Sequence, residues 1–243
     1  KNTSATADVG IYADEIEILS PVAGTDGTGN GFLESNYDIT YVPGDLTINR
    51  RAIPLTANDQ SKTYGDALNL GSTSFSVADK GDAQDSVLPN GEKVDTVTLV
   101  SANGVDGSTD ADVKTYTNNI SITPTATGAA TLAGSNGFDQ ENYDISYATG
   151  DLTINRRAIT LTASGQSKIY GDALDLGSTK FTTLDIDGNA TLPNDEVVDT
   201  VTLVSENGVD ASTDADVKTY TDNISITPTA TGAATLAGSN GFD

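Results

Sequence analysis

Apolar and polar residues alternate with period two along most of the chain. In YDITY, Tyr37, Ile39 and Tyr41 fall on one face, and Asp38 and Thr40 on the other. Residues two apart share a face of a strand, so this spacing predicts half-buried β-structure. Leu46 and Ile48 continue the pattern after a Pro43-Gly44-Asp45 turn. Ile53, Leu55 and Ala57 alternate with Pro54 and Thr56, Val97 and Leu99 with threonines, and Tyr116, Ile120 and Ile122 with Thr, Asn and Ser. Abundant Thr, Val and Ile suit a pleated surface buried on one side. No long stripe has helical spacing, and only residues 67–70 could form a short helical turn. Asn-Gly occurs at 30–31, 90–91, 103–104, 136–137, 207–208 and 240–241. That dipeptide readily adopts the positive φ of tight turns, which predicts hairpins.

The same segments recur. Residues 51–75 (RAIPLTANDQSKTYGDALNLGSTSF) return at 157–181 with six differences, and 88–139 return at 192–243 with five. The segment between them, 76–87 in one copy and 182–191 in the other, differs in sequence and length, as a surface loop tolerates. A partial copy opens the chain: ADVGIYADEIEI at 7–18 matches 111–122, and NYDITYVPGDLTINRRAI at 36–53 matches 142–159. A period of about 105 residues is domain-sized and too long for a solenoid turn or a propeller blade. The expected fold is all-β: tandem small β-sandwich or β-grasp-like domains of about 105 residues in an elongated array. The frame is 1–49 for the end of one repeat, 50–155 for a complete repeat, and 156–243 for a repeat lacking its closing strand.

The junction TINRRAI, at 47–53 and 153–159, contains no Gly, Pro or Ser, so it reads as a short, stiff connection and not as a flexible linker. All four arginines of the chain lie there, as Arg50, Arg51, Arg156 and Arg157. They either stand in solvent and blunt an edge strand, or pair with carboxylates of both neighbouring repeats and fix the joint.

Composition narrows the function classes. The chain carries 12 basic and 35 acidic residues, for a net charge of −23. Such a surface repels phosphate backbones and anionic headgroups, which argues against nucleic acid as a partner. No stretch approaches the ~20 apolar residues of a membrane-spanning helix, so no membrane insertion by this segment is expected. There is no Cys, Met, Trp or His. Thiol chemistry, Cys-based zinc sites and the commonest general base are therefore missing. The start at Lys1, without an initiator Met or a leader, reads as an excised piece of a longer protein.

At NYDITYVPGDLTI, followed by LTA-x-x-QSK-x-YGD, the sequence resembles the MBG-type (YDG-like) repeats of large bacterial surface adhesins and filamentous haemagglutinin-like exoproteins. The matching residues are Gln60-Ser61-Lys62, Tyr64-Gly65-Asp66, Tyr116, Asn142-Tyr143-Asp144 and 150–154, with their equivalents in the other copies. The resemblance covers nearly the whole chain apart from 76–93. It implies secretion to the bacterial cell surface, an extracellular location and a structural role, and it brings no catalytic residues. The glycine that precedes the mid-domain Tyr in the family is kept only as Gly10; Lys114 and Lys218 replace it.

Candidate chemistry is sparse. No nucleophile elbow, P-loop or dinucleotide fingerprint is present, and near-identical tandem copies extend a structure more readily than they build one active site, so no enzyme is expected. Cofactors are not expected either, structural calcium excepted. Ca²⁺ takes six to eight oxygen ligands, and DGSTDAD gathers Asp106, Asp110 and Asp112, repeated as Asp210, Asp214 and Asp216. In DIDGNATLPNDE, Asp185, Asp187, Asn189 and Glu196 fall at EF-hand-like offsets, although Gly188 is misplaced for that loop. The competing reading is acidic turns in solvent. Lys62 and Lys168 are candidates for an isopeptide bond to an Asn, against the plainer reading of surface lysines.

Two roles follow as expectations. One is a non-catalytic stalk segment of an adhesin that holds a distal binding region away from the cell, with neighbouring repeats of the same chain as its partners. The other is a repeated weak binding module for glycan, ice or a partner adhesin, as in cell aggregation or biofilm. Near-identical neighbours with incomplete ends also suggest head-to-tail self-association.

Overall fold

The structure, a computed structural model, describes residues 7–19, 34–78, 88–123, 132–227 and 237–239. It is built almost entirely of strands, with a few 3-10 turns and no α-helix among the described residues. The opening copy supplies β1 (Gly10–Ile16) and β2 (Gly44–Ile48). The middle copy supplies β3 (Arg51–Ala57), β4 (Gln60–Thr63), β5 (Phe75–Val77), β6 (Lys93–Thr96), β7 (Leu99–Ser101), β8 (Thr115–Ile122), β9 (Ala133–Ser135), β10 (Tyr143–Ala148) and β11 (Gly150–Asn155). The last copy supplies β12 (Ile159–Ala163), β13 (Phe181–Asp185), β14 (Val197–Thr200), β15 (Leu203–Ser205), β16 (Ile224–Ile226) and β17 (Ala237–Ser239).

The chain forms two compact units, each drawn from three segments: Lys1–Asn58, Gly71–Val100 and Ile120–Gly150 in the first; Asp59–Leu70, Ser101–Asn119 and Asp151–Asp243 in the second. In the first unit β3 is central, with β10 parallel on one side and β5 antiparallel on the other. Beside this sheet lie the antiparallel pairs β1–β2 and β6–β9. Ile53, Leu55 and Ala57 are buried, as their alternation predicts, together with Val97, Leu99, Ile120, Ile122 and Tyr143. Gly150 closes β10 against the start of the repeat: a Cβ there would lie 2.6 Å from the carbonyl oxygen of Ala57.

In the second unit β11 lies between β4, with which it runs parallel, and β8. Leu152 and Ile154 of β11 are fully buried. The last copy packs Leu176, Leu192, Val198, Val201 and Leu203 into one cluster, covered by Ile159, Leu161, Phe181, Ile224 and Ile226. Its strands pair as β12–β13, β14–β17 and β15–β16, all antiparallel.

Three expectations change. YDITY at 37–41 forms no strand, and Tyr37 is 63% exposed. The same sequence at 143–147 becomes β10 because β3 offers it a parallel edge. Residues 67–70 form no helical turn. The Asn-Gly pairs at 90–91, 103–104 and 207–208 do take positive φ, but inside single 3-10 turns and not in two-residue hairpins. The expected loop at 182–191 begins as strand, since β13 runs to Asp185; of its counterpart, 79–87 lie outside the described residues, as do the Asn-Gly pairs at 30–31 and 240–241.

Candidate functional site

The richest polar cluster lies at the second junction, inside the second unit. β11 ends at Asn155 and β12 begins at Ile159, which leaves Arg157 between two strands. Its side chain is only 10% exposed. Nη1 donates to Asp66 Oδ1 at 2.8 Å and to the Tyr64 carbonyl at 3.3 Å. Nη2 donates to Asp185 Oδ2 at 3.2 Å and to Asp187 Oδ2 at 2.5 Å, and Nε reaches Asp185 Oδ2 at 3.4 Å. A guanidinium's flat, five-donor fork suits this division between carboxylates, and the buried charge requires it. Asp66 lies in the 50–155 frame, whereas Asp185 and Asp187 lie in the 156–243 frame, so one arginine holds carboxylates from both sides of the junction sequence.

Asp185 is organised before the arginine arrives. Its Oδ1 accepts the backbone N–H groups of Asp187 and Asn189 at 2.9 and 2.7 Å, and its Oδ2 accepts Asn189 Nδ2 at 3.2 Å. The Asn189 backbone bond foremost, with the Asn189 side chain and Arg157 behind it, holds the Asp185 carboxyl below its ordinary pKa. The bond to Asp66 leads the causes that raise Arg157. Asp185, Asp187 and Asn189 thus do gather around a cation, as their EF-hand-like spacing suggests, but the cation is Arg157. Glu196 goes elsewhere. It accepts the Tyr64 hydroxyl, a bond that raises the Tyr64 pKa. Asn194 Nδ2 donates to the same hydroxyl at 3.2 Å and to the Thr109 carbonyl at 3.0 Å, and Thr109 Oγ1 donates back to Asn194 Oδ1 at 2.8 Å. Tyr64, Arg156, Arg157, Pro193 and Glu196 line a cleft of about 560 Å³.

The other arginines contribute less. Arg156 is exposed. Arg50 lies 4.0 Å from Glu141, with both side chains largely in solvent, an arrangement that contributes little. Arg51 is half-buried at the start of β3. Asp79, aligned with Asp185, lies outside the described residues.

The second candidate loop is organised by lysine. Lys62 is buried, and its Nζ donates to the carbonyls of Val105 (2.5 Å), Asp106 (3.1 Å) and Ser108. Lys168 repeats this with Val209, Asp210 (3.1 Å) and Ser212 (2.5 Å). Three donors meet three carbonyl oxygens, so the ammonium satisfies the loop from within; no asparagine side chain is among these partners. Burial lowers the Lys62 pKa, against the raising influence of Asp106, Asp66 and Asp110. The aspartates of these loops face separate partners. Asp106 and Asp210 accept Ser101 and Ser205 hydroxyls at 2.5 Å. Asp110 and Asp214 accept Ser108 and Ser212 at 2.6 Å. Asp112 meets Lys114 at 3.1 Å, and the Asp216 carbonyl accepts the Tyr220 hydroxyl at 3.2 Å. These serine bonds are the leading cause that holds Asp110, Asp210 and Asp214 below the ordinary value. Among the described residues no three acidic side chains group to hold a metal ion. Lys114 and Lys218, which replace the family glycine, sit over the rings of Tyr116 and Tyr220 at 4.6 and 4.8 Å.

Sequence reasoning singled out Arg157, Asp185 and Asp187 but missed Asp66, Tyr64, Thr109 and Asn194 as their neighbours. The retained YGD at 64–66 and 170–172 was the available signal. Comparison of the chain with family models, with curated proteins and with solved structures gives no match.

Proposed function

We propose that the chain is a non-catalytic spacer: a stalk segment of a bacterial cell-surface adhesin, of the MBG-like repeat type, which holds a distal binding region away from the cell. The observation that carries this reading is Arg157. A buried guanidinium tied to Asp66 on one side of the junction sequence and to Asp185 and Asp187 on the other stiffens the step between the 50–155 and 156–243 repeats. A spacer needs this property, because a joint that swivels transmits neither direction nor load. Two features agree with it: the polar clusters are consumed by internal bonds, and the acidic surface keeps neighbouring stalks apart.

The test is small-angle scattering on the chain and on its Arg157→Ala variant, coupled to antibody labelling of intact cells. Surface labelling and a broader distance distribution in the variant are expected. Superimposable scattering curves, or labelling only after the cells are broken, would sink the reading.

A further inference from the structure

In the middle copy, β11 fills the space between β4 and β8, and β10 lies along β3. The last copy has the same frame without the filling. Residues 166–169 correspond to β4 but form no strand, and of the counterpart of β8 only Ile224–Ile226 does. Between them runs a groove of about 270 Å³, lined by Lys168, Tyr170, Leu174, Leu176, Val217 and Ile224. Its rim is open: Ile169 is 73% and Val217 86% exposed. β12 has β13 on one edge, and its other edge, where β10 lies on β3, carries no strand among the described residues. The floor is already set, since Lys168 makes the same three carbonyl bonds as Lys62.

The middle copy also shows what fits. The filling segment there is 142–155, NYDISYATGDLTIN, and the chain carries it a second time at 36–49 as NYDITYVPGDLTIN, with three differences. At that second place it is poorly used. Tyr143 is 5% exposed, whereas its equivalent Tyr37 is 63% and Val42 74% exposed. β2 has only β1 as a neighbour, and a two-stranded pair of this kind is marginal in water.

We propose that the last copy is a strand-acceptor site, and that its occupant is the 36–49 segment of a second copy of this chain. The register follows the middle repeat. Tyr147 stands opposite Leu55, and Leu152 and Ile154 opposite Gln60 and Lys62. Tyr41 therefore lies parallel to Leu161, and Leu46 and Ile48 lie opposite Gln166 and Lys168. β2 leaves β1, and its Leu46 and Ile48 enter the groove over Leu174 and Leu176. The Tyr170 N–H donates to the Asn49 carbonyl, as Tyr64 does to Asn155 at 2.9 Å. Backbone ladders supply affinity and the two apolar side chains supply selectivity, as in β-strand addition. Both partners are strongly acidic, so salt strengthens the association by screening their repulsion. This inference does not depend on the spacer role.

The chain has no cysteine, which makes a cross-link unambiguous. Thr47→Cys and Ser167→Cys introduced together place the thiols opposite one another, since Thr153 stands opposite Ser61. On oxidation at high protein concentration a ladder of linked chains is expected on a non-reducing gel. A product that stays one chain long, closed on itself or unlinked, overturns the second copy as occupant. Self-association is read in parallel by sedimentation. Leu46→Asp with Ile48→Asp removes it while saturable binding of a labelled 36–49 peptide persists. Ile169→Pro, at an exposed non-strand position, weakens that peptide about tenfold or more by deleting a ladder donor. Absence of peptide binding to the wild-type chain, or binding unaffected by Ile169→Pro, overturns the acceptor site.

Discussion

The guanidinium of Arg157 meets the carboxylate of Asp185 at 3.2 Å, where the two side chains are only 10% and 2% exposed. Neither charge tolerates that burial alone. Replacing Arg157 with Ala leaves Asp185 buried with its backbone bonds but no counter-ion. Urea denaturation should show a loss of about 2–3 kcal/mol, at or below the low end for a broken buried pair because Asp66 and Asp187 are half in solvent. Arg157→Lys should recover little, since an ammonium cannot reach three carboxylates and the Tyr64 carbonyl at once. Arg50→Ala and Arg156→Ala should stay within about 0.5 kcal/mol of the wild type. Equal losses at all four arginines would mean that the clamp has no special role.

Acid should act in two directions. The folded-state pKa values of Asp110, Asp185, Asp210 and Asp214 are depressed below 3.8. A depressed carboxyl contributes stability that is complete above its unfolded value and is lost as pH falls through its folded value. From neutral pH down to about 4.5 these groups lose nothing, while protonation of other acids relieves a net charge of −23. Calorimetry should find a level or rising Tm over that range and a falling one below about pH 3.8. Ser205→Ala removes the chief cause of the Asp210 depression and should move that acid limb toward higher pH. A Tm that climbs steadily through pH 3 would contradict this.

Lys62 should be more important than any other lysine. Lys62→Met keeps the apolar stem but leaves three inward carbonyls without their donor, a loss of about 2–4 kcal/mol in urea denaturation. Lys168→Met should cost less, because the last copy is more open around that side chain. An isopeptide bond would remove the amine as a donor, so intact mass spectrometry should show no loss of ammonia.

Calcium should not be needed by the two acidic loops, because Lys62, Lys168 and Arg157 already provide their cations. After chelation, added calcium should shift Tm no more than an equal ionic strength of sodium does. A saturable shift that Asp185→Asn abolishes would show that the metal competes with Arg157.

How much of this was legible follows from where each interaction runs. The burial of Ile53, Leu55, Ala57, Leu99, Ile120 and Ile122 lies in the chain's own alternation, so it could be read directly. The fate of YDITY could not. The same residues are a strand at 143–147 and none at 37–41, because a strand depends on the edge it meets and not on its own pattern. The Asp-rich spacings correctly signalled cation-seeking loops. That the cations would be Lys62, from 43 residues away, and Arg157, from 28, depends on tertiary proximity that no local motif encodes. Of the four junction arginines, the sequence offers no way to tell Arg157 from Arg156.

The junction can be probed without touching a charge. Gly65 and Gly171 are the same glycine in two copies of the YGD turn, with φ of +90° and +92°. Each replacement by Ala forces a left-handed conformation that costs a side-chain-bearing residue about 1–2 kcal/mol. Their surroundings differ. A Cβ on Gly171 meets nothing within 4 Å, whereas one on Gly65 would lie 2.3 Å from Cγ and 2.5 Å from Cβ of Pro193, beside the Arg157 guanidinium. Gly171→Ala should therefore show the conformational cost alone, and Gly65→Ala a clearly larger loss in urea denaturation. Adding Pro193→Gly removes both atoms in the way, so the double variant should recover the difference between the two glycines and leave the conformational part. Equal losses at Gly65 and Gly171, with no coupling to Pro193, would show that the turn does not press on residue 193. The joint would then rest on Arg157 and the Tyr64–Glu196 bond alone.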